Sequence, residues 1–129
     1  VLELARHAVP AATGVALDLL GAEPWPTGAR VALLANVLHL YGRADAAGLV
    51  ARGAQAVLPG GTVAVKDFDG SSDAGVLFSL NIALFTEEGE VHEETALRSF
   101  FRDAGLRDVQ VERLRCAPEA LLVRGQAPL

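Results

Sequence analysis

Two hydrophobic rhythms alternate along this chain. Val1, Leu4, Ala5 and Ala8 recur at helical spacing, and Pro10 closes that segment. Gly14 leads into VALDLL (15–20), a short strand-like run, and GAEPWPTGA (21–29) is a loop. From Val31 to Leu38 the chain is apolar but for Asn36, the pattern of a strand covered on both faces in a parallel sheet. Asp45 predicts the cap of a helix running to about Leu58, with Ala46, Leu49, Val50 and Val57 on one face. Pro59-Gly60-Gly61 predicts its stop, and Thr62 to Phe68 the next strand. After the turn DGSSD (69–73), with a serine cap, Ala74, Leu77, Phe78, Asn81, Leu84 and Phe85 share the expected inward face of a helix, which EEGE (87–90) breaks. Another helix is expected from about Glu93 to Ala104, with Leu97, Phe100, Phe101 and Ala104 inward and Gly105 as its stop. DVQVERLR and ALLVRGQ, joined by the short CAPEA link, predict an antiparallel hairpin.

The order helix, strand, strand, helix, strand, helix, helix, strand, strand predicts a layered α/β fold with right-handed crossovers. At 129 residues the chain has room for one domain. With 51% apolar and 21% charged residues its composition is that of a globular domain. The longest apolar run, Val31 to Ala35, is too short to span a bilayer. The net charge of -5 argues against nucleic acid or an anionic membrane as partner. A single cysteine, Cys116, excludes a disulfide framework, and it reads as a small buried hydrophobe. No secretory signal is visible, so a cytoplasmic location is the expectation. The chain lacks methionine and its first residues read as mid-helix, so it is expected to be a piece of something longer. Its one lysine, Lys66, among ten arginines suggests a GC-rich genome.

ANVLHLYGRAD (35–45), then LPGGTVAVKDF (58–68), resembles the small-molecule O-methyltransferases that use S-adenosylmethionine, of bacterial natural-product and plant phenylpropanoid type. That family has an apolar strand, then N-V-L-H and an aromatic, a helix, P-G-G, and a strand ending in an acid. Here the histidine is His39, the aromatic Tyr41 and the acid Asp67. LNIALFTEEGEVHEETALRSFFRDAGL (80–106) resembles the family's C-terminal helices. The resemblance covers essentially the whole chain. It implies an incomplete Rossmann-like class I methyltransferase sheet: family order 3-2-1-4-5-7-6, with VALD as strand three. The first two strands, the glycine-rich loop and the acid for the ribose hydroxyls have no counterpart in these residues. One edge of VALLANVL would then be bare, an aggregation hazard.

The resemblance also implies roles. His39 would be the general base, at the C-terminal end of a central strand where open α/β sheets place their ligands; a strand-end histidine satisfying backbone groups is the alternative. Asp67 would fix the imidazole tautomer, or else be a turn aspartate bonding its own backbone. The family usually has glutamate there. Asp18 matches the acid that accepts the adenine amino group, Leu19 lies beside the adenine, and Asn36 sits where relatives approach the methionine part of the cofactor. Asn81, Phe78, Phe85 and His92 are candidate acceptor-binding residues, although Asn81 could serve helix packing, the two phenylalanines could be core, and His92 could belong to a helix cap. A second family acid falls at Val91 or His92, where this chain has none. Trp25 reads as core or pocket wall, and His7 as a surface helix residue. Scattered histidines argue no metal site.

The implied activity is methyl transfer from S-adenosylmethionine to a hydroxyl of a small molecule. The chain would be the C-terminal portion of a catalytic domain, inactive alone and needing the N-terminal part, a complementary chain or a second copy; the intact enzyme would be a homodimer. A non-catalytic methyltransferase-like remnant serving as an interaction module is the alternative. A dehydrogenase half is a weaker one, lacking any glycine fingerprint.

Overall fold

The computed structural model describes residues 7–129. Most of the expected N-terminal helix, residues 1–6, lies outside that range; His7 within it is helical and exposed. Seven elements follow: β1 (Ala29–Ala35), α1 (Arg43–Ala56), β2 (Val57–Phe68), α2 (Asp73–Phe85), α3 (Glu94–Asp103), β3 (Arg107–Leu114) and β4 (Ala117–Gln126), with a 3-10 turn at Leu38–Leu40. The four strands form one sheet in the order β1-β2-β4-β3. β1 and β2 are parallel, with α1 as the crossover; β4 pairs antiparallel with both β2 and β3. This is the 4-5-7-6 end of the sheet order the resemblance implied.

One face of the sheet carries the core. Leu34, Val63, Val65, Leu121 and Val123 meet Ala46, Leu49 and Val50 of α1 and Ala96, Leu97, Phe100 and Phe101 of α3. The alternation along β2 produces this division: Val63, Val65 and Asp67 are buried, while Ala64, Lys66 and Phe68 between them are half-buried. Gly105 ends α3 at φ +75°, with Leu106 N–H donating to the Phe101 carbonyl and Gly105 N–H to that of Arg102. Those are the two bonds of a Schellman stop, which needs the left-handed residue.

Several sequence expectations are corrected. VALDLL is not a strand: Gly21 N–H donates to the Asp18 carbonyl, making a turn, and no neighbouring strand among the described residues offers a ladder. β1 ends at Ala35, because Asn36 turns left-handed at φ 55° and Leu38–Leu40 coils. The cap residue of α1 is Gly42 rather than Asp45, which sits in the first turn, and the helix ends at Ala56 rather than Leu58. Pro59-Gly60-Gly61 does not separate helix from strand. It lies inside β2 as a bulge, where the register slips between Ala29↔Val57 and Val31↔Thr62. Cys116 is exposed at the hairpin turn, not buried.

The largest correction concerns α2. Ser72 caps it as expected, accepting from Gly75 N–H at 2.9 Å. Yet Ala74, Leu77, Asn81, Leu84 and Phe85 of the expected inward face are exposed, Leu84 at 79% and Phe85 at 81%; the face turned to the protein carries Gly75 and Ile82, with Phe78 half-buried. The helix is apolar nearly all round, so periodicity could not select its buried side. Val31 and Leu33 of β1 are likewise exposed, on the sheet face opposite the core.

The segment that fails to form a strand is tied to α1 by a guanidinium. Arg52 of α1 donates to the carbonyls of Leu19, Gly21 and Glu23 and lies over the Trp25 ring at 5.4 Å. Trp25 is the only tryptophan, so the anchor can be read optically. Arg52→Met is expected to raise acrylamide quenching of Trp25 fluorescence and to shift its emission to the red, because both the cation–π contact and the carbonyl bonds are lost. An unchanged quenching constant would show that the segment stays in place without the guanidinium.

Candidate active site

β1 and β2 are adjacent and parallel, so their C-terminal ends lie side by side. The chain leaving β1 coils through Leu38–Leu40 and brings His39 back over the end of β2, where Asp67 is the penultimate residue. His39 Nδ1 stands 2.6 Å from Asp67 Oδ1, and the His39 backbone N–H donates to Asp67 Oδ2 at 3.2 Å. Phe68 N–H donates to Oδ1 at 2.9 Å. The residues are 6% and 3% exposed, so this polar pair is shielded from water and its hydrogen bonds count for more than surface ones.

A carboxylate accepting from Nδ1–H fixes the tautomer and leaves the lone pair on Nε2. No described residue hydrogen-bonds His39 Nε2, and that nitrogen is not among the sealed, unpartnered buried atoms. The arrangement can therefore take a proton from a donor reaching Nε2. Aromatic rings shape the surroundings: Phe78 meets the imidazole edge-on at 5.0 Å and Phe68 at 6.2 Å, and the two phenylalanines stack at 4.1 Å.

The remaining candidates are spread around the same end of the sheet or away from it. Asn36 is exposed at the end of β1, and its Oδ1 accepts from Lys66 Nζ at 2.7 Å. Asp18 is exposed; its Oδ1 accepts from Leu20 N–H at 3.0 Å, and its second oxygen accepts from no described residue. Leu19 is half-buried against the core. Asn81 and Phe85 are exposed on α2, and neither is hydrogen-bonded to or ring-paired with His39 among the described residues. His92 is 3% exposed. It does not cap α3, whose cap residue is Glu93; its Nε2–H instead donates to the Leu38 carbonyl at 3.2 Å. Burial, chiefly, holds its pKa below the ordinary imidazole value, because the charged form would lose its hydration, and the Leu38 carbonyl offsets only part of this. Trp25 packs against the core, with its Nε1 buried and without a hydrogen-bond partner among the described residues.

Asp69 is a participant that sequence reading passed over. Buried at 1% exposure, it accepts from the Ser71 backbone and hydroxyl and from Arg113 of β3 at 2.5 Å. Burial would raise its pKa, but the bonds from Ser71 and Arg113 outweigh it and hold the carboxyl below the usual range. It thereby secures the turn between Asp67 and α2. The D-G-S-S pattern was the available signal, as an Asx turn; the distant Arg113 had none. Among the described residues no group of side chains could hold a metal ion, and no helix is long and apolar enough to cross a membrane.

The chain is 32% identical over 111 residues to the tetracenomycin polyketide synthesis 8-O-methyl transferase TcmO of Streptomyces glaucescens. The chain belongs to the S-adenosylmethionine-dependent O-methyltransferase family. The match covers 82% of the chain and 32% of TcmO. An O-methyltransferase family protein from Burkholderia thailandensis superposes with a TM-score of 0.86 at 24% identity, covering 98% of the chain and 40% of that protein. Human N-acetylserotonin methyltransferase, solved with S-adenosylmethionine, superposes at 0.73 with 25% identity, over 87% of the chain and 32% of its own length. The chain thus spans a third to two-fifths of these relatives. The sheet is accordingly a partial Rossmann-like sheet of the methyltransferase kind. No family model matches the chain.

Proposed function

We propose that this O-methyltransferase chain is the C-terminal portion of a catalytic domain that transfers a methyl group to a hydroxyl of a small molecule, with His39 as general base. The observation that carries the reading is the buried His39–Asp67 pair, whose geometry directs a lone pair on Nε2 away from the carboxylate. S-adenosylmethionine, when bound, supplies an electrophilic methyl group on a sulfonium. In that transfer His39 Nε2 would take the proton that the acceptor hydroxyl gives up as its oxygen gains the methyl group. The imidazolium so formed is stabilised by Asp67 and returns its proton to solvent.

The residues present suit the cofactor's ends. Asp18 keeps one carboxylate oxygen free to accept from an exocyclic amine. Leu19 offers an apolar contact beside it, and Asn36 stands at a strand end where α/β sheets bind ligands. Phe78 supplies an aromatic wall for the acceptor beside His39. The names of TcmO and of the human enzyme support a small organic acceptor. The exposed apolar positions Val31, Leu33, Leu84 and Phe85 support a working form in which further polypeptide completes the domain: a preceding part, a complementary chain or a second copy.

Asp67→Asn in the intact enzyme tests this. An amide can present its N–H to Nδ1 and favour the wrong tautomer, so methyl transfer is expected to fall about tenfold or more, up to the ~10²–10⁴-fold that general base catalysis supplies. Methyl transfer from labelled cofactor to a phenol reads it. An undiminished rate in Asp67→Asn would remove the pair from the mechanism.

A further inference from the structure

The peptide that joins Leu38 to His39 is gripped at both ends. Its N–H, that of His39, donates to Asp67 Oδ2 at 3.2 Å. Its carbonyl, that of Leu38, accepts from His92 Nε2–H at 3.2 Å as well as from Tyr41 N–H at 3.0 Å within the turn. His92 also holds the turn that follows Asp67: its own carbonyl accepts from Gly70 N–H at 3.2 Å, three residues beyond that carboxylate. The approach is close enough to require glycine, since a Cβ at Gly70 would stand 2.5 Å from the Val91 carbonyl oxygen.

The ring itself has little freedom. It stands edge-on to Phe100 at 5.2 Å, and Phe100 is a core residue of α3. Its Nδ1 is buried with no hydrogen-bond partner among the described residues. An imidazole held in this way donates from Nε2 and from nowhere else.

We infer that His92 is a positioning residue for the His39–Asp67 pair, fixing the Leu38–His39 peptide through its side chain and the Asp67–Gly70 segment through its backbone. It touches neither reacting group; it sets the separation at which Nδ1–H meets the carboxylate. This rests on the general-base reading above. A side chain at this position that carries a donor where Nε2 stands should preserve the pair, and one that carries it elsewhere should not.

Glutamine and asparagine separate the two cases, because the Gln amide nitrogen falls near the Nε2 position and the Asn amide nitrogen near Nδ1. The intact enzyme labelled with ¹⁵N-histidine is expected to show a low-field His39 Nδ1–H proton resonance, absent in Asp67→Asn. His92→Gln should retain that resonance and the rate. His92→Asn and His92→Phe should lose or broaden it and lower kcat about tenfold or more with the cofactor KM unchanged, as a displaced catalytic group does. Should His92→Phe fail to fold, the Gln and Asn pair carries the comparison. Equal resonance and rate in all folded variants would overturn the inference while leaving the base assignment standing. Absence of the resonance in the unsubstituted enzyme would overturn the pair itself, and the tether with it.

Discussion

Replacing His39 with alanine in the intact enzyme is expected to slow methyl transfer by ~10²–10⁴-fold, the usual contribution of general acid–base catalysis. Cofactor affinity should stay nearly unchanged. Among the described residues the imidazole hydrogen-bonds only Asp67, and it stands edge-on to the Phe68 and Phe78 rings, so its removal is expected to leave Asp18, Leu19 and Asn36 as they are. The structural cost is contained as well, because the His39 backbone N–H still donates to Asp67 Oδ2. Single-turnover rates with saturating cofactor, beside calorimetric titration of the same variant, separate the two effects. A rate loss below about threefold falls far short of that range and would take His39 out of the chemistry.

Phe101→Ala is expected to destabilise the domain by ~3–5 kcal/mol. Phe101 has no exposed surface and lies in the layer between α3 and the sheet. Its ring packs where Gly125 of β4 has no side chain: a Cβ there would stand 2.9 Å from Phe101 Cδ1. The ring therefore occupies space that the strand leaves open, and alanine would leave a cavity that neither glycine nor the paired strands can fill. Set against a total stability of ~5–15 kcal/mol, such a loss is a large fraction. Urea unfolding should show a lower midpoint at an unchanged slope. A change below about 1 kcal/mol would mean that the site collapses around the smaller side chain, against the range for such substitutions.

Much of the fold was legible in residue order. The apolar run at 31–35, the i, i+3, i+4 spacing of Leu97, Phe100 and Phe101, Gly105 as a left-handed stop and the short hairpin link each act over a few residues, where propensity and periodicity operate directly. His39 and Asp67 were legible as a pair through the family resemblance, and their meeting needs only that two adjacent parallel strands end at the same side. The mistaken elements share a different origin. VALDLL has the composition of a strand, but a strand exists only with a partner to accept its hydrogen bonds. PGG reads as a stop, and in three dimensions becomes a bulge because pairing with β1 resumes beyond it. The direction α2 faces could not be read from a helix that is apolar nearly all round.

The sequence by itself therefore determined the elements with local causes, their α/β order and the chemical types available at the site: one imidazole, one carboxylate, an aromatic neighbourhood. Only the tertiary structure decided which distant groups act on them. Arg52 on the carbonyls of Leu19, Gly21 and Glu23, Arg113 on Asp69, and His92 on the Leu38 carbonyl join residues between 29 and 54 positions apart. No periodicity or propensity encodes such pairs. Their partners are backbone carbonyls or an ordinary turn aspartate, which become specific acceptors only when packing brings a donor to them and removes the competing water.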